Sequence, residues 1–343
     1  MKILYIGNKL EKSGRTPTTV DTLSLQFGEF AEVISVSDRM NVALRFWDMC
    51  SSVFKHRDAD YVVIDTYSTL AFYFAFAVSC CCRLLSKRYI PILHGGSLPE
   101  RLDHSPKMSR LLFGRSFRNI SPSGYLKAEF EKRGYGNIDV IPNNIEVSNY
   151  KFSVRDQYRP RLLWVRSFAE IYNCGMAVEV LNLVLKRYPE ATLCMIGPDK
   201  DGSMARTVDL ANKYGISDSL KITGQMTKEE WHKISEEYDI FISTTNFDNT
   251  PVSVIESMAL GLPVVSTNVG GMPYLIENGV DGYLTEKGNP QMMAEKIFEI
   301  TSSPEATQEI VGKARKKAES FAWECVSELW RGVFTSAESH KIR

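Results

Sequence analysis

A carboxylate inside an apolar helix must be hydrogen-bonded by something, and Glu256 is such a residue. It sits in Pro251-Val252-Ser253-Val254-Ile255-Glu256-Ser257-Met258-Ala259-Leu260-Gly261. Its helical neighbours three and four residues away are Val252, Ser253, Ala259 and Leu260, none of them cationic. Burial without a local partner is costly for such a group. Either a cross-helix or cross-domain salt bridge or a pair of ligand hydroxyls would offset that cost. The helix is expected to have Thr250 as its N-cap, Pro251 as its first residue and Gly261 as its stop. Its start follows the apolar segment 239–243, so backbone N–H groups and the positive end of the helix dipole make an anion site there. Asp248 precedes Glu256, with seven residues between them.

Other candidates also stand after apolar runs. His94 follows Tyr89–Leu93 and precedes Gly95-Gly96, glycines that let a ligand approach the backbone; a satisfied core histidine is the plainer alternative. Arg166 ends Leu162–Val165, where a solvated strand-end charge is the alternative. Gly7 ends Ile3–Ile6 and opens the loop from Asn8 to Thr18, expected to face a ligand. Gly14 is the next glycine, so the dinucleotide fingerprint is absent. Asp58-Ala59-Asp60 precedes its strand, and Asp199-Lys200-Asp201 lies in a Gly/Pro turn, so neither triplet is read as a metal site. Cys80, Cys81 and Cys82 lack metal spacing and are read as small core residues.

The elements that must hold these residues are short and alternate. Runs at 3–6, 33–36, 61–64, 89–93, 119–121 and 138–141 read as strands, with helices expected at 66–86 and 124–132. The pattern restarts at 162–165, 192–196, 220–223, 239–243 and 263–266. Met176, Val180, Leu183 and Val184 make one helical face between two of these strands. Such alternation implies parallel sheets with helices on both faces, hence two doubly wound, Rossmann-like α/β domains. We place the N-terminal domain at 1–150, a polar linker at 151–160, the C-terminal domain at 161–320 and a C-terminal helical segment at 321–343 that packs back on the first domain. Ligands of such sheets bind beyond the carboxyl ends of the strands.

Bulk properties narrow the class. The chain has 343 residues, 41 basic and 41 acidic, so no global field attracts nucleic acid. A local excess of six cations at 83–118 is either a solvated face or a contact for anionic lipid head groups or a lipid-linked diphosphate acceptor. Seven cysteines, three of them consecutive, suit a reducing compartment. The first residues carry no apolar signal segment, and the longest apolar run, 70–82, is too short to cross a bilayer. A cytoplasmic location is expected, with the inner face of the cytoplasmic membrane as the alternative.

The run from Asp248 onward resembles retaining glycosyltransferases of family four, which have the GT-B fold of two such domains facing across a cleft. The resemblance rests on the spaced acidic pair and on Glu256-Ser257-Met258-Ala259-Leu260-Gly261-Leu262-Pro263-Val264-Val265. It continues through Thr267, Gly270-Gly271 and the stretch from Asn278 to Leu284. It implies that Glu256 binds the ribose hydroxyls of a nucleotide-diphosphate sugar and that Asp248, where most members carry Glu, contacts the donor sugar. Asn249, Thr250, Pro251, Val252 and Ser253 would lie against the donor, with Gly7 and Gly224 as further donor contacts. Arg166 would neutralise the leaving diphosphate, and His94 would face sugar and acceptor. The family's Lys about five residues beyond Arg166 is missing; Ile171, Tyr172 and Asn173 stand there. The implied activity is sugar transfer from a UDP or GDP donor to a glycan or lipid-linked acceptor, with no cofactor or metal, in bacterial surface polysaccharide synthesis. A GT-B nucleotide-sugar 2-epimerase and a non-catalytic nucleotide-binding subunit are the alternatives.

Overall fold

The computed structural model describes residues 1–9 and 18–335. Gly14 and most of its loop, and the tail after Thr335, lie outside the described residues. The chain divides into two compact units, one formed by 1–142 with the residues from Val326 on, the other by 143–325.

The first unit holds six parallel strands: β1 (Lys2–Ile6), β2 (Glu32–Val36), β3 (Tyr61–Tyr67), β4 (Arg88–His94), β5 (Asn119–Ser121) and β6 (Ile138–Val140). Their order is β2-β1-β3-β4-β5-β6. Helices α1 (Thr19–Phe27), α2 (Val42–Lys55), α3 (Leu70–Leu84), α4 (Leu98–His104), α5 (Pro106–Phe113) and α6 (Gly124–Lys132) connect them. The helix expected from Thr66 starts at Leu70, because β3 pairs with β4 as far as Tyr67↔His94 and the ladder keeps those residues extended.

The second unit repeats the plan. Its strands are β7 (Arg161–Val165), β8 (Thr192–Ile196), β9 (Leu220–Gly224), β10 (Ile240–Ser243), β11 (Val264–Thr267) and β12 (Tyr283–Thr285), in the order β12-β11-β10-β7-β8-β9. Helices α7 (Cys174–Leu185), α8 (Ser203–Tyr214), α9 (Lys228–Ser235), α10 (Val252–Leu260), α11 (Met272–Leu275), α12 (Pro290–Ser302) and α13 (Pro304–Glu319) cover it. Val178, Leu181 and Val184 of α7 are fully buried with Leu162, Leu193 and Ile240 of the sheet. This apolar layer makes the sheet a rigid platform for the loops at its edge.

The last helix, α14 (Trp323–Thr335), leaves the second unit and belongs to the first from Val326 on. Within the first unit, Trp330 packs edge-on to Phe27 at 4.9 Å, and the Tyr61 hydroxyl donates to the Phe334 carbonyl at 2.6 Å.

Both sheets are wound outward from an inner pair of strands, β1 and β3 in one and β7 and β10 in the other. At such a reversal the crossovers diverge to opposite sides and leave a crevice beyond the strand ends. Gly7 follows β1 and Asp65 lies in β3; Arg166 follows β7, and Asp248 follows β10. Topology alone therefore selects these two places.

Candidate functional site

In the second unit, β7 delivers Arg166 and the loop after β10 delivers Asp248. Their side chains meet, with Arg166 Nη2 2.6 Å from Asp248 Oδ2. Asp248 is 9% exposed, and its other oxygen accepts the Asn249 amide at 2.9 Å. Burial pushes the Asp248 carboxyl upward from its usual range, against the opposing pull of Arg166. The Arg166 guanidinium lies 4.4 Å from the centre of the Tyr172 ring, a cation–π contact. Where a second cation was expected, an aromatic ring supports the first. Arg166 Nε is buried with no hydrogen-bond partner among the described residues. An unmet charged donor of this kind is what an incoming anion would satisfy. Val165, Arg166, Tyr172, Asp248, Pro251 and Ser253 share a pocket of ≈ 230 Å³.

Two glycine sets keep this loop where it is. A Cβ at Gly197 would overlap the Arg166 carbonyl, and Cβ atoms at Gly270 and Gly271 would overlap the carbonyls of Asp248 and Asn249. The Gly271 amide donates to the Asp248 carbonyl at 2.9 Å. Gly224 ends β9 with φ +75° and accepts the Gly197 amide at 2.8 Å, so its carbonyl already has a use in the backbone. The loop also sets where α10 begins. Pro251 has ψ 119° and is the N-cap, so the helix starts at Val252 and not at Pro251 under a Thr250 cap. The extended backbone of Pro251 puts the first helical residue one position later than the sequence suggests.

Glu256 is 3% exposed in the middle of α10. Its Oε1 accepts the Tyr150 hydroxyl at 2.9 Å and lies 2.8 Å from Lys228 Nζ. The cross-helix salt bridge left open by the sequence is therefore present. Burial and the nearby carboxylate push the Tyr150 phenol well up, so it stays a donor. Lys228 opens α9, whose N-cap Thr227 accepts the Glu230 amide while Glu230 accepts the Thr227 amide. Thr227→Ala should cost about 1 kcal/mol by losing that cap, measured as a lower urea midpoint.

Gly7 and His94 belong to the first unit. His94 Nε2 is 2.8 Å from Asp65 Oδ1, which also accepts the Tyr5 hydroxyl at 2.9 Å. The Asp65 carboxylate thus holds both the His94 ring and the Tyr5 hydroxyl through one oxygen. Tyr67 stacks on the imidazole at 4.7 Å. A Cβ at Gly7 would overlap the Asp65 carboxylate, so Gly7 is small to make room for that network. Asp65, Tyr150, Tyr172 and Lys228 were missed by sequence reasoning. Of these, only Asp65 left a signal, as a lone acid in the apolar strand Tyr61-Val62-Val63-Ile64-Asp65.

The Asp-x-Asp triplets have local uses. Asp60 accepts the Lys2 amide and Asp58 pairs with the Lys2 ammonium. Asp199 and Asp201 accept backbone amides of Gly202, Ser203 and Glu170 in the turn before α8. Cations of the 83–118 stretch are partly engaged: Arg101 donates to the Ser68 carbonyl, Lys87 to that of Ala59, and Arg118 pairs with Asp139. No described helix is long and apolar enough to cross a membrane.

Comparison with known proteins shows what the chain is similar to. Residues 149–317 match the family of glycosyl transferases group 1. The chain is 26% identical over 251 residues to the amylovoran biosynthesis glycosyltransferase AmsK of Erwinia amylovora, covering 69% of this chain and 61% of that protein. It is 25% identical over 236 residues to spore coat protein SA of Bacillus subtilis, covering 64% of this chain and 62% of that one. The match thus spans about three fifths of these relatives' length. Among solved structures, Anabaena Alr3699/HepE in complex with UDP superposes with a TM-score of 0.78 over 98% of this chain and 100% of its own, at 17% identity.

Proposed function

We propose, from the premise that this chain belongs to the glycosyl transferases group 1 family and has the GT-B fold, that it moves a sugar from a nucleotide-diphosphate donor to an acceptor hydroxyl with retained anomeric configuration. The observation that carries the reading is the convergence at one sheet edge of Arg166, Asp248, the start of α10 and the buried Glu256. Each matches one part of such a donor: diphosphate for Arg166 and the helix start, sugar for Asp248, ribose diol for Glu256.

The chemistry requires charge stabilisation, because the anomeric carbon becomes cation-like while the diphosphate leaves. Arg166 offers its free Nε and a planar fork suited to two phosphate oxygens. The first N–H groups of α10 add a fixed positive dipole at the same place. Together they provide a metal-free means of holding the leaving group. Front-face attack, in which a leaving phosphate oxygen takes the acceptor proton, needs no nucleophilic carboxylate, and none is assigned. His94 is proposed for the acceptor side. The donor is read as UDP- or GDP-linked, and the solved HepE complexes with UDP and UDP-glucose make uracil the first base to test. The likeness to the amylovoran enzyme favours a glycan or lipid-linked acceptor in surface polysaccharide synthesis.

The test is a thermal-shift panel with UDP, GDP, ADP, CMP and dTDP, each with and without EDTA. A ligand that binds only the folded state raises the midpoint, by RT ln(1 + [L]/Kd) in free energy. A shift from one nucleotide that EDTA leaves intact is expected. No shift from any of them would remove the donor-site assignment and favour a non-catalytic subunit. With the bound base known, incubation with its sugar conjugate separates transfer from 2-epimerisation by product.

A further inference from the structure

Lys228 and Glu256 form an unequal pair. The ammonium lies 2.8 Å from Glu256 Oε1, yet the lysine side chain is 61% exposed and the glutamate side chain 4% exposed. Lys228 is thus an exposed cation resting on a buried anion. The same Oε1 accepts the Tyr150 hydroxyl, so this oxygen has two partners before any ligand arrives. Glu256 is the fifth residue of α10, which places it about 6 Å along the axis from the helix start. A lysine has a four-carbon stem with rotatable donors, long enough to cover that distance.

On the donor reading, a ribose diol must approach Glu256 and a diphosphate must approach the helix start. The charge available there is limited, because Arg166 already pairs with Asp248 and Tyr172 fills the place of the expected second cation. We infer that Lys228 is that second cation and that it changes partners, lying on Glu256 in the empty site and on the diphosphate in the filled one. Its departure frees Glu256 Oε1 for the ribose. Phosphate and ribose recognition are then coupled: a nucleoside alone must compete with Lys228 for Glu256, whereas a nucleoside diphosphate draws the competitor away.

The inference rests on the donor reading, and its test separates the two. Calorimetric titration of uridine and UDP (or the pair whose diphosphate shifts the melting temperature) into wild type, Lys228→Met and Lys228→Gln reads the ratio of the two dissociation constants. In both variants the affinity for the diphosphate should fall about tenfold or more relative to that for the nucleoside. The nucleoside itself should bind as well as before or better, because Glu256 has lost its competitor. Lys228→Arg should restore most of the diphosphate preference. Equal weakening of both ligands, or no change in either, overturns the role of Lys228 and leaves the donor site standing. A wild type that binds no nucleoside diphosphate overturns both. Melting temperatures of the free variants check that the largely exposed substitution leaves the fold intact.

Discussion

Arg166→Met is expected to lower folding stability by about 2–3 kcal/mol at neutral pH and to abolish the nucleotide-dependent thermal shift. Methionine keeps the apolar stem but removes the charge beside Asp248, whose carboxylate keeps the Asn249 amide as a partner. Breaking a fully buried ion pair costs about 3–5 kcal/mol. The lower figure applies here because the Arg166 side chain is 32% exposed and water already screens part of the interaction. The dependence on pH has a fixed sign. Burial raises the Asp248 carboxyl in the folded chain above its unfolded value, so the fold holds this proton more tightly than the unfolded chain does. Stability is therefore lost as pH rises from the unfolded value through the folded one. Removing Arg166 takes away the group that opposes this shift, so the loss extends to higher pH. The gap between variant and wild type should be small near pH 4 and widest near pH 7. Urea denaturation across that range measures it, with Arg166→Met/Asp248→Asn as the partner variant that recovers most of the loss by removing the stranded charge. A gap independent of pH would show that the pair is not what couples these residues.

The sheets were legible because their signal is local. Tyr61-Val62-Val63-Ile64 and Phe241-Ile242 are apolar and β-branched or aromatic in short runs, and helical periodicity returns between such runs. Glu256 was legible for the opposite reason, as a charge where its surroundings in sequence are apolar. The partners of the candidate residues were not legible, because each comes from a distant element. Tyr150 reaches Glu256 across 106 residues and Asp65 reaches His94 across 29. Lys228 looks in sequence like any solvated first residue of a helix, and only the fold brings its ammonium onto a buried carboxylate. The start of α10 was misplaced by one residue for a similar reason. Thr250 and Pro251 have the right local chemistry for a cap and a first turn, but Pro251 stays extended in a loop whose Asp248 carbonyl is tied to the Gly271 amide. Local propensity yields to a tertiary contact that the sequence near the helix does not contain.

That contact supplies the other large effect. Gly271→Ala should destabilise the chain by about 1–3 kcal/mol and remove nucleotide binding, although Gly271 has an ordinary φ of −85° and contributes no side chain to the pocket. The cause is space: a Cβ at this position would overlap the Asn249 carbonyl, a backbone atom that cannot rotate away. Relief requires the loop to shift, and the loop carries Asp248 against Arg166 and sets the first turn of α10. Movement on the scale of an ångström is enough to misplace donor-contacting groups. Gly312→Ala is the control with the opposite sign. Gly312 lies inside α13 with no atom within 4 Å of an added Cβ, so alanine there should stabilise by about 0.5–1 kcal/mol through reduced backbone entropy. Urea midpoints of the two variants should move in opposite directions, and only Gly271→Ala should lose the thermal shift. If Gly271→Ala were destabilised yet bound nucleotide with unchanged affinity, the position of the Asp248–Asn249 backbone would be irrelevant to the donor. The site would then have to be drawn from Glu256 and its partners alone.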